Sequence, residues 1–178
     1  MKKLILILTI ALLPIIGSAQ SIFSKFEDND KVTSIIIQKK TFEMLAQMSV
    51  DVQDENANEI LDMVKQLDKL QVFTTEDSST GLKMKDVVDS YLKKSKLSEL
   101  LRINDKDAKV SVYVKEGKND NHVTELLMLV NGITTTGDGR QPESVVLSIT
   151  GDIYLDKISK LMNQMNVSGS EHLKTTKQ

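Results

Sequence analysis

A chain of 178 residues with 23 basic and 25 acidic side chains has a formal charge of −2, too balanced to coat nucleic acid or an anionic membrane. Three Tyr, four Phe and no Trp leave little surface for stacking bases or sugars. Cysteine is absent, which excludes disulfides and thiolate metal sites.

Residues 1–19 read as a secretory signal: Lys2 and Lys3, an apolar run from Leu4 to Ile16 broken by Thr9 and Pro14, then Gly17-Ser18-Ala19 for cleavage. The run is short of the roughly 20 residues that span a bilayer, and no later segment has one like it. The start is of a bacterial kind. Removing 19 of 178 residues leaves 159, with net charge −4 and Gln20 where a lipoprotein would carry Cys. The expected organisation is one domain over 20–167 and a frayed tail over 168–178. The expected location is the periplasm or cell exterior.

Around Ile22, Phe23 and Phe26, a short amphipathic helix or arm should lie on the domain. Val32–Ile37 is β-branched at almost every position and reads as a first strand, covered on both faces toward its end. Phe42, Leu45, Ala46 and Met48 recur at helical spacing over 39–48. Asp54 should cap a second helix, with Glu55 in its first turn and Ile60, Leu61, Val64 and Leu67 inward. Leu70–Thr75 reads as strand two. A turn at 76–81 then leads to a third helix with Met84, Val87, Val88, Tyr91 and Leu92 inward.

Hairpins follow. Leu97–Ile103 is an ambiguous strand before a turn at Asn104–Asp107. Ala108, Val110, Val112 and Val114 alternate with Lys109, Ser111, Tyr113 and Lys115, the pattern of a half-solvated antiparallel strand. Gly117–Asn121 turns into a central strand, Val123–Val130. Gly132–Pro142 reads as a polar loop and Val145–Thr150 as the last strand. Gly151-Asp152 should break it and cap a helix with Leu155, Ile158, Leu161, Met162 and Met165 inward. The order predicts an α+β fold: a mixed or antiparallel sheet of about five or six strands, helices packed mainly on one face.

Chemistry is scarce. His122 and His172 are far apart in sequence and read as solvated surface residues. Asp28-Asn29-Asp30 alternates oxygen ligands, but Val32 and Thr33 break the calcium-loop pattern and leave a turn cluster. Gly137-Asp138-Gly139-Arg140 lacks both phosphate-loop fingerprints. The acids Glu55, Glu59, Asp62, Asp86 and Asp89 have lysines nearby and read as solvated helix faces. Two arginines, Arg102 and Arg140, make no anion clamp. No Gly-x-Ser-x-Gly elbow or Ser-x-x-Lys motif occurs, and the helical methionines read as core. No catalytic, cofactor-binding or metal-binding residue is therefore nominated, and no cofactor is expected.

Phe23-Ser24-Lys25-Phe26, the Val32–Ile37 strand leading into Phe42 and Met44, Leu97-Ser98-Glu99-Leu100-Leu101 and Leu147–Ile153 together carry a likeness. By these residues the chain resembles an exported bacterial family, domain of unknown function four-two-five-two, over roughly 23–165. The resemblance implies an exported envelope protein and supplies no catalytic residues. Many members look like lipoproteins; this chain departs from them in having no Cys. The expectation is a non-catalytic module binding an envelope protein or peptide, by strand addition at a sheet edge or through the Gly132–Pro142 loop. Nucleic acid is not an expected partner. The alternative is a periplasmic hydrolase whose carboxylates meet only in the fold.

Overall fold

The computed structural model describes residues 22–48, 55–106, 108–132 and 143–157. In chain order these form α1 (Ser24–Glu27), β1 (Thr33–Gln38), α2 (Lys39–Met48), α3 (Glu55–Val64), β2 (Leu67–Thr75) and α4 (Ser78–Leu92). Four strands complete the set: β3 (Ser98–Asn104), β4 (Lys109–Glu116), β5 (His122–Asn131) and β6 (Ser144–Tyr154). The strands make one sheet in the order β1-β2-β6-β5-β4-β3, antiparallel at every junction. The architecture is α+β. β3 to β6 form a meander that returns to β2, leaving β1 and β3 as the two edges.

Apolar residues occur on both faces of the sheet, so both faces need cover. On the first face Phe73, Leu127, Leu129 and Val146 meet Phe23 and Phe26 of the N-terminal arm and Met84, Val87 and Val88 of α4. Tyr91 and Tyr113 pack against this core, and Phe23 and Phe26 both lie ring to ring with Phe73. The expected inward stripe of α4 is thus the stripe observed. On the second face Phe42 of α2 joins Leu67, Val114, Val123 and Ile153, with Val64 of α3 packed alongside. The helices therefore divide between the faces, which corrects the expectation that they cover mainly one. Sequence periodicity reports which residues of a helix point inward, but not which face of a distant sheet receives them.

The registers align whole rows of side chains on the second face. Ile37, Leu70, Ile149, Leu126 and Val114 form one row and belong to the core. Ile35, Val72, Leu147, Met128, Val112 and Leu101 form the next, one residue from each strand. Thr33, Thr74, Val145, Val130, Val110 and Ile103 form a third. The apolar members of these last two rows belong to neither core cluster.

Two expectations near β6 need correction. The strand does not stop at Gly151-Asp152 but runs on to Tyr154, and residues 155–157 begin the helical turn. Gly151 has φ +141 and faces the β2 bulge, where a Cβ would lie 2.5 Å from the Gln66 carbonyl oxygen. The Asp152 amide donates to that carbonyl at 2.9 Å, so Asp152 is a strand residue and not a helix cap. The glycine is there for close backbone approach. Leu67 likewise opens β2 instead of closing α3, and Leu45 is exposed on α2. The leader at 1–19, the cap Asp54, residues 133–142, Ile158, Leu161, Met162, Met165 and the tail all lie outside the described residues, as do Arg140 and His172. Among the described residues, no helix is long and apolar enough to cross a membrane.

Candidate functional site

β1 is launched by a tight turn. Asn29 Oδ1 accepts the Lys31 amide at 2.9 Å and its carbonyl accepts the Val32 amide at 2.9 Å, so the Asp28-Asn29-Asp30 cluster contains an Asx turn. The Thr75 hydroxyl donates to the Lys31 carbonyl at 2.7 Å, tying the entry of β1 to the exit of β2. From there β1 pairs with β2 from Thr33↔Thr74 to Gln38↔Lys69. Its other side is an edge of the sheet.

The two edges differ in chemistry. β3 carries the Glu99–Arg102 ion pair, bidentate through Nε and Nη2, and a register shift between Glu99 and Leu101. Charges and bulges are the devices that keep an edge from pairing with foreign strands. β1, Thr-Ser-Ile-Ile-Ile-Gln, has no charge, no Pro and no register shift. Ile35 is 52% exposed at the head of the second apolar row, and Met44 and Leu45 on the following helix are 52% and 46% exposed. A strand laid along β1 would extend the sheet hydrogen bonding and lengthen that row at once.

At the start of β1 lies an open cleft of about 390 Å³, lined by Asp30, Lys31, Val32 and Thr33 and by Thr74 to Asp77. Its three carboxylates give it an acidic wall. Asp77 is the N-cap of α4: its Oδ1 accepts the Thr80 hydroxyl at 2.6 Å and the Thr80 amide at 2.8 Å, and its Oδ2 takes Lys31 Nζ at 2.9 Å. Those donors, the Thr80 hydroxyl foremost, hold its carboxyl down at about 2. A carboxyl held that low is no proton donor at neutral pH, which is the opposite of a general acid.

Beneath α4, Glu125 of β5 is 8% exposed and accepts the Tyr91 hydroxyl at 2.8 and 2.9 Å to its two oxygens. The register shift between Val123 and Glu125 brings this about, sending Val123 to the second core and Glu125 to the first face. Burial foremost, then the bond and charge of Glu125, push the Tyr91 hydroxyl well above the usual phenol range. The phenol therefore stays neutral and donates.

His122 corrects the expectation of a solvated histidine: it is 1% exposed. Its Nδ1 accepts the Lys118 amide at 2.8 Å, so Nε2 bears the proton and donates to Asp152 Oδ1 at 3.0 Å. Lys118 Nζ stands 3.7 Å from the other oxygen, and the Tyr154 ring lies 5.2 Å from the imidazole. The bond from His122 and the Lys118 charge draw the Asp152 carboxyl below its usual range. With both ring nitrogens engaged, this dyad clamps the β4–β5 turn onto β6 and offers no lone pair to a substrate. The clue in the sequence is Gly117, whose missing side chain makes room for the ring.

The helical acids stand as the sequence implies, on solvated faces: Asp62 pairs with Lys65, and Asp89 with Lys85, while Asp86 is exposed. The side chains of Glu55 and Glu59 lie outside the described residues. Among the described residues, no group of three His, Asp or Glu is placed to hold a metal ion. A family model described as a domain of unknown function (DUF4252) matches residues 26–161. No curated protein and no solved structure matches the chain.

Proposed function

The chain belongs to the DUF4252 family, and from that premise we propose that it is an exported envelope module that holds a protein or peptide partner by strand addition at β1, without catalysis. One observation carries the reading: the uncharged β1 edge, with Ile35 exposed on it, stands at the far end of the sheet from an edge guarded by Glu99 and Arg102. Main-chain hydrogen bonds along β1 supply affinity. The alternating side chains of the added strand pack beside Ile35 and Ile37 on one face and Ser34 and Ile36 on the other. The acidic cleft at the start of the strand favours a cationic residue on the partner. Export rests on the leader-like residues 1–19.

The test is a photoreactive residue placed at Ile35 or at Arg102, followed by cross-linking in the envelope fraction and mass spectrometry. The expected result is an adduct from position 35 that maps to an extended segment of the partner, with none from position 102. Equal adducts from both edges would overturn the proposal.

A further inference from the structure

We propose that the strand seated on β1 is the β1 of a second copy of this chain, so that two six-stranded sheets join edge to edge about a twofold axis through Ile35 or Ile36; this rests on the strand-addition reading above.

The argument starts from charge. The residues entering β1 include Glu27, Asp28 and Asp30, and Lys31 among them is engaged by Asp77. The residues leaving it are Lys39 and Lys40, both exposed. Antiparallel pairing of β1 with itself about Ile35 sets Lys40 of each copy against Asp30 of the other, twice over, while Lys39 faces Lys31, whose charge Asp77 already engages. Parallel pairing would set like against like. Lys39 and Lys40 already touch Asp68 and Glu43 of their own chain at 2.9 and 3.4 Å. Exposed pairs of this kind are weak, so the charges choose the direction of pairing and add little affinity.

Between the charged ends lie Ile35, Ile36 and Ile37, and a twofold axis stacks this run on its own copy. Strand pairs of β-branched residues gain from such cross-strand contact. With the axis at Ile35 the second apolar row runs without a break from one sheet into the other; with the axis at Ile36, Ile35 of each copy meets Ile37 of the other. The guarded β3 edge gives the pairing its limit. A β1–β3 contact would be head-to-tail and would propagate, whereas β1–β1 contact uses up the only open edge among the described residues and closes at two. One six-residue strand pair is a small interface, so the dimer is expected to assemble at roughly micromolar concentration.

The cysteine-free chain makes the test clean. Single cysteines placed in turn from Thr33 to Gln38, with Leu82→Cys and Ile103→Cys as exposed references, are oxidised gently while sedimentation is followed across concentration. The expected result is a concentration-dependent dimer, disulfide yield peaking at position 35 or 36, and at least about a tenfold weaker dimer in Ile35→Lys but not in Ile103→Lys. A chain that stays monomeric to high micromolar concentration, or cross-links through Leu82→Cys or Ile103→Cys instead, overturns the self-pairing. Amide exchange of the chain with a pool of extended apolar peptides then separates the two ideas. Slowing at Thr33–Gln38 in a monomeric chain leaves strand addition standing with another occupant, and unchanged exchange there brings both down.

Discussion

A methyl group on Gly117 would lie 1.8 Å from His122 Nδ1. The ring cannot swing aside, since it is buried and bonded at both nitrogens. Gly117→Ala is therefore expected to cost about 2 kcal/mol or more of folding stability in urea titrations, far above a typical surface change. Tyr91→Phe removes the phenolic donor from a buried carboxylate without altering the ring packing on Phe23, and a loss of about 1–3 kcal/mol is expected in the same assay. Asp77 gives a pH signature. Its folded carboxyl sits near 2 against an ordinary 3.8, so its contribution is complete above the ordinary value and is lost as pH falls through the folded one. Melting curves at pH 5 and pH 2 should differ less in Asp77→Asn than in the parent chain. An equal or larger difference in the variant would show that the Thr80 and Lys31 bonds do not act through Asp77.

At the scale of elements, the edges make the difference. Ile35→Lys puts a charge where β1 now offers a neutral seam and is expected to reduce strand uptake at least about tenfold while leaving the melting temperature nearly unchanged. Ile103→Lys, on an edge already charged, should leave both uptake and melting temperature nearly unchanged. Binding titrations beside melting curves check both. Most elements were legible because their signals are local. The alternation of Val110, Val112 and Val114 gives β4, the stripe from Met84 to Leu92 gives α4, and the β-branched run gives β1. What the chain hides is long-range. Gly151-Asp152 has the look of a strand end and helix cap, and only the bulge at Leu67 explains a glycine inside a continuing strand. The edge position of β1 was hidden too, because a run of isoleucines reads as a strand covered on both sides. The candidate site inherits that limit: strand addition was readable as a mode, but which edge is open depends on the meander returning β6 to β2.

At the scale of the whole molecule, six antiparallel strands carry a core on each face, and closing the β1 seam would leave the guarded β3 edges at the two ends of a longer sheet. With no cysteine in the chain, no disulfide contributes to holding this molecule together. The most direct measurement is residue-resolved amide exchange as the chain is concentrated or titrated with extended apolar peptides. Slowing confined to the outward amides of Thr33–Gln38, with Ser98–Asn104 unchanged, is the expected result. Slowing at Ser98–Asn104 while Thr33–Gln38 exchanges as freely as before would contradict the assignment of β1 as the docking edge.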